Sequence, residues 1–90
     1  MNLPYIQSEV FRELVGIETL LKPRIIVAIH RYSKFLCLHL WRDVKGIRVE
    51  NVYDFKIDCS TITTYDQITA EINKIWQAIP AECKREDILK

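Results

Sequence analysis

Between residues 24 and 58 the apolar side chains recur at every second position, and the flanking segments on both sides repeat them at every third or fourth. The central stretch predicts three β-strands, over residues 24–31, 35–42 and 47–58, rich in β-branched and aromatic residues and separated by turn-compatible segments. Taking Tyr32-Ser33 as the first turn sets Arg31 opposite Lys34, Ile29 opposite Leu36 and Val27 opposite Leu38. One face of the hairpin then collects Ile25, Val27, Ile29, Leu36, Leu38 and Leu40, with no polar residue among them, and this face predicts the core. The other collects Ile26, Ala28, His30, Phe35, Cys37, His39 and Trp41, a mixture of aromatic, imidazole and thiol groups that a purely structural surface does not require. A binding surface is expected there.

The second turn, Asp43-Val44-Lys45-Gly46, has Asp and Gly where a type I turn favours them, and pairing Leu40 with Val49 keeps the apolar sets together. On that pairing Ile47, Val49, Tyr53, Phe55 and Ile57 point inward, while Arg48, Glu50, Asp54, Lys56 and Asp58 point to the mixed face. Asn51 falls inward, opposite Leu38. An unpaired amide there costs about 1 to 3 kcal/mol, so a bulge near Asn51 or a hydrogen-bonded side chain is expected.

Upstream, Ile6, Val10, Leu14, Ile17 and Leu21 form one helical stripe, and Glu9, Arg12, Glu13 and Glu18 lie off it, which predicts a helix over residues 4–21. Pro4 suits its first turn and Pro23 disfavours helical geometry at Lys22. Downstream, Thr64-Tyr65-Asp66-Gln67 matches a capping box that starts a helix at Tyr65. Ile68, Ile72, Ile75, Trp76 and Ile79 make its stripe and Pro80 ends it. Residues 81–90 read as a short helix begun at Pro80, with Ile88 and Leu89 as anchors, or as a frayed tail. The expected fold is therefore a two-layer α+β domain of order α-β-β-β-α, a three-stranded antiparallel meander with two helices on one face.

Composition adds bounds to this picture. Ninety residues make one domain with a single modest core, and 49% hydrophobic against 28% charged residues is the profile of a compact domain. The net charge of +1 conceals an asymmetry: residues 22–48 carry seven bases against Asp43, a net +6, whereas residues 49–83 carry a net −4. Cys37, Cys59 and Cys83 are far apart and odd in number, which argues against a disulfide framework and fits a reducing cytoplasm. The first residues lack a basic region followed by an apolar one, and no apolar run approaches a membrane span, so neither secretion nor membrane insertion is expected.

The chemistry-bearing residues predict binding rather than catalysis. On the Tyr32-Ser33 turn His30 lies opposite Phe35, so His30, Cys37 and His39 do not converge, no fourth ligand is evident, and neither a metal nor another cofactor is expected. Cys37 and His39, two apart on one strand, are roughly 7 Å apart and cannot form a nucleophile–base pair. The only glycines, Gly16 and Gly46, exclude a glycine-rich phosphate loop, and Asp54 and Asp58 read as solvated strand-edge carboxylates. Basic residues interleaved with Phe35, Trp41 and two histidines suit a single-stranded nucleic acid, whose bases stack on rings while Arg or Lys meets phosphate.

The order of elements resembles that of the double-stranded RNA-binding domain, and that resemblance implies the same α-β-β-β-α arrangement. The family's second helix opens with a lysine cluster for phosphates; this one opens with Thr64-Tyr65-Asp66 and has its first lysine at Lys74, so the resemblance covers element order alone. The first expectation is a non-enzymatic protein-interaction module: a homo-oligomer, or an accessory or inhibitor of a larger complex. Small intracellular regulators, including inhibitors encoded by phages and mobile elements, are of this kind. The expected contact residues are Arg31, Lys34, Phe35, His39, Trp41, Arg42, Lys45 and Arg48. The alternative is a nucleic-acid-binding domain using the same surface.

Overall fold

Asn2 caps the first helix, its side-chain oxygen accepting from the Tyr5 N–H at 2.9 Å, and Pro4 occupies the first turn, where a missing N–H is no loss. The computed structural model describes residues 2–46 and 48–88, and of Arg48 and Ile88 the backbone alone. The elements run α1 (Leu3–Glu18), β1 (Ile25–Tyr32), β2 (Phe35–Val44), β3 (Arg48–Asp58) and α2 (Tyr65–Ala78), with 3₁₀ turns at Cys59–Thr61, Ala81–Cys83 and Glu86–Ile88. The protein is thus a small α+β domain with two helices and a three-stranded antiparallel sheet in the order β1-β2-β3.

α1 stops three residues short of the expected end. The Thr19 hydroxyl donates to the Gly16 carbonyl at 2.7 Å, and Leu20 and Leu21 bond back to Ile17 and Glu18 in a tightened turn. Such side-chain competition for helix carbonyls favours termination. Leu21 remains buried, paired across an isolated bridge with Lys84. α2 begins as expected: Gln67 N–H donates to the Thr64 hydroxyl at 3.2 Å while the Gln67 side chain accepts from the Thr64 N–H at 3.0 Å. In place of one C-terminal helix there are two 3₁₀ turns. Cys83, fully buried, anchors the first, and its carbonyl accepts from Lys22 N–H. The expected anchors, the Ile88 side chain and Leu89, lie outside the described residues.

The hairpin β1–β2 turns at Ser33-Lys34, not at Tyr32-Ser33. Tyr32 pairs with Phe35, Arg31 with Leu36, Ile29 with Leu38 and Val27 with Leu40. Ser33 takes the left-handed region at φ 55°, which a small polar side chain tolerates, and its carbonyl accepts from buried Gln7 Nε2 at 2.8 Å, tying α1 to the turn. A slip of two residues preserves the faces, because side chains alternate with period two.

The β2–β3 register differs more. Leu40 pairs with Tyr53, not Val49, and Leu38 with Phe55; beyond a shift at Leu40/Trp41, Trp41 pairs with Asn51 and Asp43 with Val49. The extra residue is Val52, so the expected bulge is present beside Asn51. Tyr53, Phe55 and Ile57 stay on the aliphatic side, but past the bulge the alternation inverts. Val49 reaches the open face, 55% exposed, and Glu50 pairs with Arg42 instead. Asn51 faces Trp41 rather than Leu38. Val44 belongs to β2, leaving a shorter turn in which Lys45 and Gly46 adopt positive φ and Asp43 Oδ1 accepts from Gly46 N–H at 2.9 Å; Ile47 lies outside the described residues.

One cluster holds the core. It unites Ile6, Val10, Leu14 and Ile17 of α1, Leu36, Leu38 and Leu40 of β2, Ile57, and Ile68 and Ile75 of α2, together with Ile79, Cys59 and Cys83. Leu38 at 1% and Leu40 at 0% exposure sit at its centre.

Candidate functional site

The side of the sheet opposite this core carries the odd-numbered residues of β2. From the hairpin end these are Phe35, Cys37, His39 and Trp41, flanked by His30 and Ala28 of β1 and by Asp54, Lys56 and Asp58 of β3. His30 and His39 stack with centroids 5.0 Å apart and planes 15° from parallel, and Trp41 continues the stack 5.6 Å beyond His39. Phe35 lies beneath two ammonium groups, Lys56 Nζ at 4.0 Å and Lys34 Nζ at 5.5 Å from its centroid. Cation–π contact of this kind holds flexible lysines over a ring.

The actual turn moves His30 directly across from Cys37. One donor atom each from His30, Cys37 and His39 consequently lies within 4.8 Å of the others, which corrects the expectation that these three stay apart. Their exposure is graded: His30 is exposed, His39 half-buried and Cys37 buried. On the β3 side, His39 Nδ1 stands 2.6 Å from Asp54 Oδ1, and Asn51 Nδ2 donates to the same oxygen at 3.0 Å. The hydrogen bond from His39, followed by that from Asn51, holds the Asp54 carboxyl below its ordinary range. Cys37, His39, Asp54 and Lys56 border a shallow depression of 260 Å³.

The expected contact residues fall into separate groups. Phe35, His39 and Trp41 share the open face. Arg31 is exposed near the hairpin end, and Lys34, in the turn, pairs with Asp58 at 3.4 Å. Ser60 donates to Asp58, and this bond first, with Lys34 behind it, lowers the Asp58 carboxyl from its usual value. Neither Asp54 nor Asp58 is therefore a merely solvated carboxylate. Arg42 lies on the helix side and bonds Glu82 of the 3₁₀ turn Ala81–Cys83, with Glu50 at 3.9 Å. Lys45 is exposed in the second turn, away from the stacked rings; the Arg48 side chain lies outside the described residues. The +6 segment is thus partly neutralised by acids of β3 and the C-terminal turn.

His30, Cys37 and Asp54 were absent from the expected contact set. The signal that places the first two was the turn: a two-residue loop at Ser33-Lys34 makes Tyr32 and Phe35 cross-strand partners and brings His30 opposite Cys37 in the same step, whereas Asp54 is set opposite His39 by the β2–β3 register.

No family model matches the chain, and no curated protein or solved structure matches it. No helix among the described residues is long and apolar enough to cross a membrane.

Proposed function

We propose that this protein is a non-enzymatic interaction module that acts by stoichiometric binding, and that its occupant is a second copy of the same chain joined through the edge of β1. The observation that carries this reading is the contrast between the two sheet edges. The Asp43 N–H bonds Arg24 C=O at 3.0 Å, which sets the phase of the β1–β2 ladder: even-numbered residues of β1 bond inward, and the N–H and C=O groups of Val27, Ile29 and Arg31 turn off the edge. Five apolar residues in succession, Ile25 to Ile29, line that edge, without proline, lysine or bulge. β3, the opposite edge, has the bulge and the charges of Glu50, Asp54, Lys56 and Asp58, which are the usual protections against strand addition.

Two β1 strands running antiparallel about Ala28 would place Val27 beside Ile29 of the other copy and Arg31 beside Ile25, so that no two cations meet. Such pairing is self-complementary under a two-fold axis. The half-buried Ile25, Val27 and Ile29, the 42% exposed Ile26, and Phe11 on α1, 46% exposed, supply apolar surface next to the joint. Phe11 and Arg31 border a common depression, so α1 adjoins this edge.

Nucleic-acid binding ranks second, because Lys34 and Arg42 are engaged with acids. Sedimentation over a concentration series, with labelled oligonucleotides titrated in parallel at several salt concentrations, separates the readings. A monomer–dimer equilibrium without oligonucleotide binding is expected. A monomer at every concentration, or oligonucleotide binding whose log affinity falls steeply and linearly with log salt, would overturn the proposal.

A further inference from the structure

We infer that His30, Cys37 and His39 form a binding site for a divalent zinc-type cation on the open face of the sheet, with water as the fourth ligand and Asp54 as the outer partner of His39. Imidazole nitrogen and thiolate sulfur are the donors such a cation selects. Their mutual separations, within 4.8 Å, compare with about 3.3 to 3.6 Å between two nitrogens and one sulfur on a tetrahedral zinc at the usual metal–nitrogen and metal–sulfur distances. Rotation of the exposed His30 ring supplies much of the difference, since β1 and β2 already hold it opposite Cys37.

Asp54 provides a second, independent feature of a built site. A metal-binding histidine characteristically gives its other ring N–H to a carboxylate, which fixes the ring and raises its basicity. Asp54 accepts at His39 Nδ1 and leaves Nε2 for the metal, and Asn51 secures Asp54 in turn. The bulge is what aims Asn51 at this carboxylate. Charge balances as well: a thiolate and the Asp54 carboxylate offset a dication. Lys56, across from Cys37, keeps its ammonium over Phe35. Binding displaces the thiol proton of Cys37 to solvent and changes no oxidation state.

This inference goes beyond the association proposed above, and either can hold alone. The test is titration of the full chain, under a non-thiol reductant, with Co²⁺ as a coloured stand-in for Zn²⁺, followed by displacement with Zn²⁺. One Co²⁺ per chain with a thiolate-to-cobalt charge-transfer band is expected, and Zn²⁺ should abolish the band. Cys37→Ser should lose the band, and Asp54→Asn should weaken binding by about ten- to a hundredfold. His30 is exposed, so His30→Ala keeps the fold and should weaken binding at least about tenfold, which decides the matter even if a Cys37 variant unfolds. No band with the wild-type chain, a band that survives Cys37→Ser, one metal per two chains, or His30→Ala binding at wild-type strength would each overturn the site.

Discussion

His39 and Asp54 face each other across β2 and β3 with Nδ1 and Oδ1 2.6 Å apart. A carboxylate accepts and does not donate, so the neutral imidazole must place its proton on Nδ1. Nitrogen NMR of the ring should find the Nδ1–H form for neutral His39, and Asp54→Asn should relax that preference. The Nε2–H form in the wild-type chain would show that the contact is not kept in solution.

Leu38→Ala should destabilise the fold by roughly 2 to 5 kcal/mol, because Leu38 is 1% exposed within the core cluster and truncation leaves a cavity. Chemical denaturation measures it. A loss under about half a kilocalorie, the scale of a surface change, would place the core on the wrong side of the sheet.

Thr64→Ala removes the acceptor for Gln67 N–H and should cost about 1 kcal/mol. Self-association should be unaffected, since the box lies at the start of α2. A loss of association at unchanged stability would move Thr64 into the interface.

Burial lifts the Cys59 thiol from its ordinary value of 9.0 to about 11, with nearby Asp58 adding to the effect. A raised pKa favours the protonated form in the fold, so this contribution to stability is complete below about pH 9 and is lost as pH rises towards 11. Cys83 is pushed the same way, chiefly by burial. Denaturation midpoints should therefore fall through that alkaline interval, and Cys59→Ala should flatten the fall. An unchanged slope in that variant would assign the alkaline loss elsewhere.

The parts of this fold legible in sequence were those set by local chemistry. The Thr64–Gln67 box, the stripe from Ile6 to Leu21 and the alternation in β1 and β2 each encode their structure within a few residues. Strand register is not local: Leu40 can meet Val49 or Tyr53 with an apolar partner either way, and the pairing with Tyr53 leaves Val52 as the extra residue of the bulge. Asn51 did announce an irregularity, since its amide had no place among aliphatic side chains. The hairpin slip of two residues left every face unchanged, and for that reason hydrophobic pattern could not detect it. It nevertheless moved His30 from Phe35 to Cys37, so the imidazole–thiol cluster depended on the one feature that the pattern leaves free.

Amide hydrogen exchange at β1 tests the proposed self-association at the atoms that would make it. The Val27, Ile29 and Arg31 amides turn off the sheet edge, whereas those of Ile26, Ala28 and His30 bond to β2. If two copies pair through this edge, the first three should become protected as concentration rises, to a level approaching the second three, and Ile26→Lys should remove that protection while leaving the fold intact. Free exchange of Val27, Ile29 and Arg31 at every concentration, with Ile26, Ala28 and His30 still protected, would contradict it.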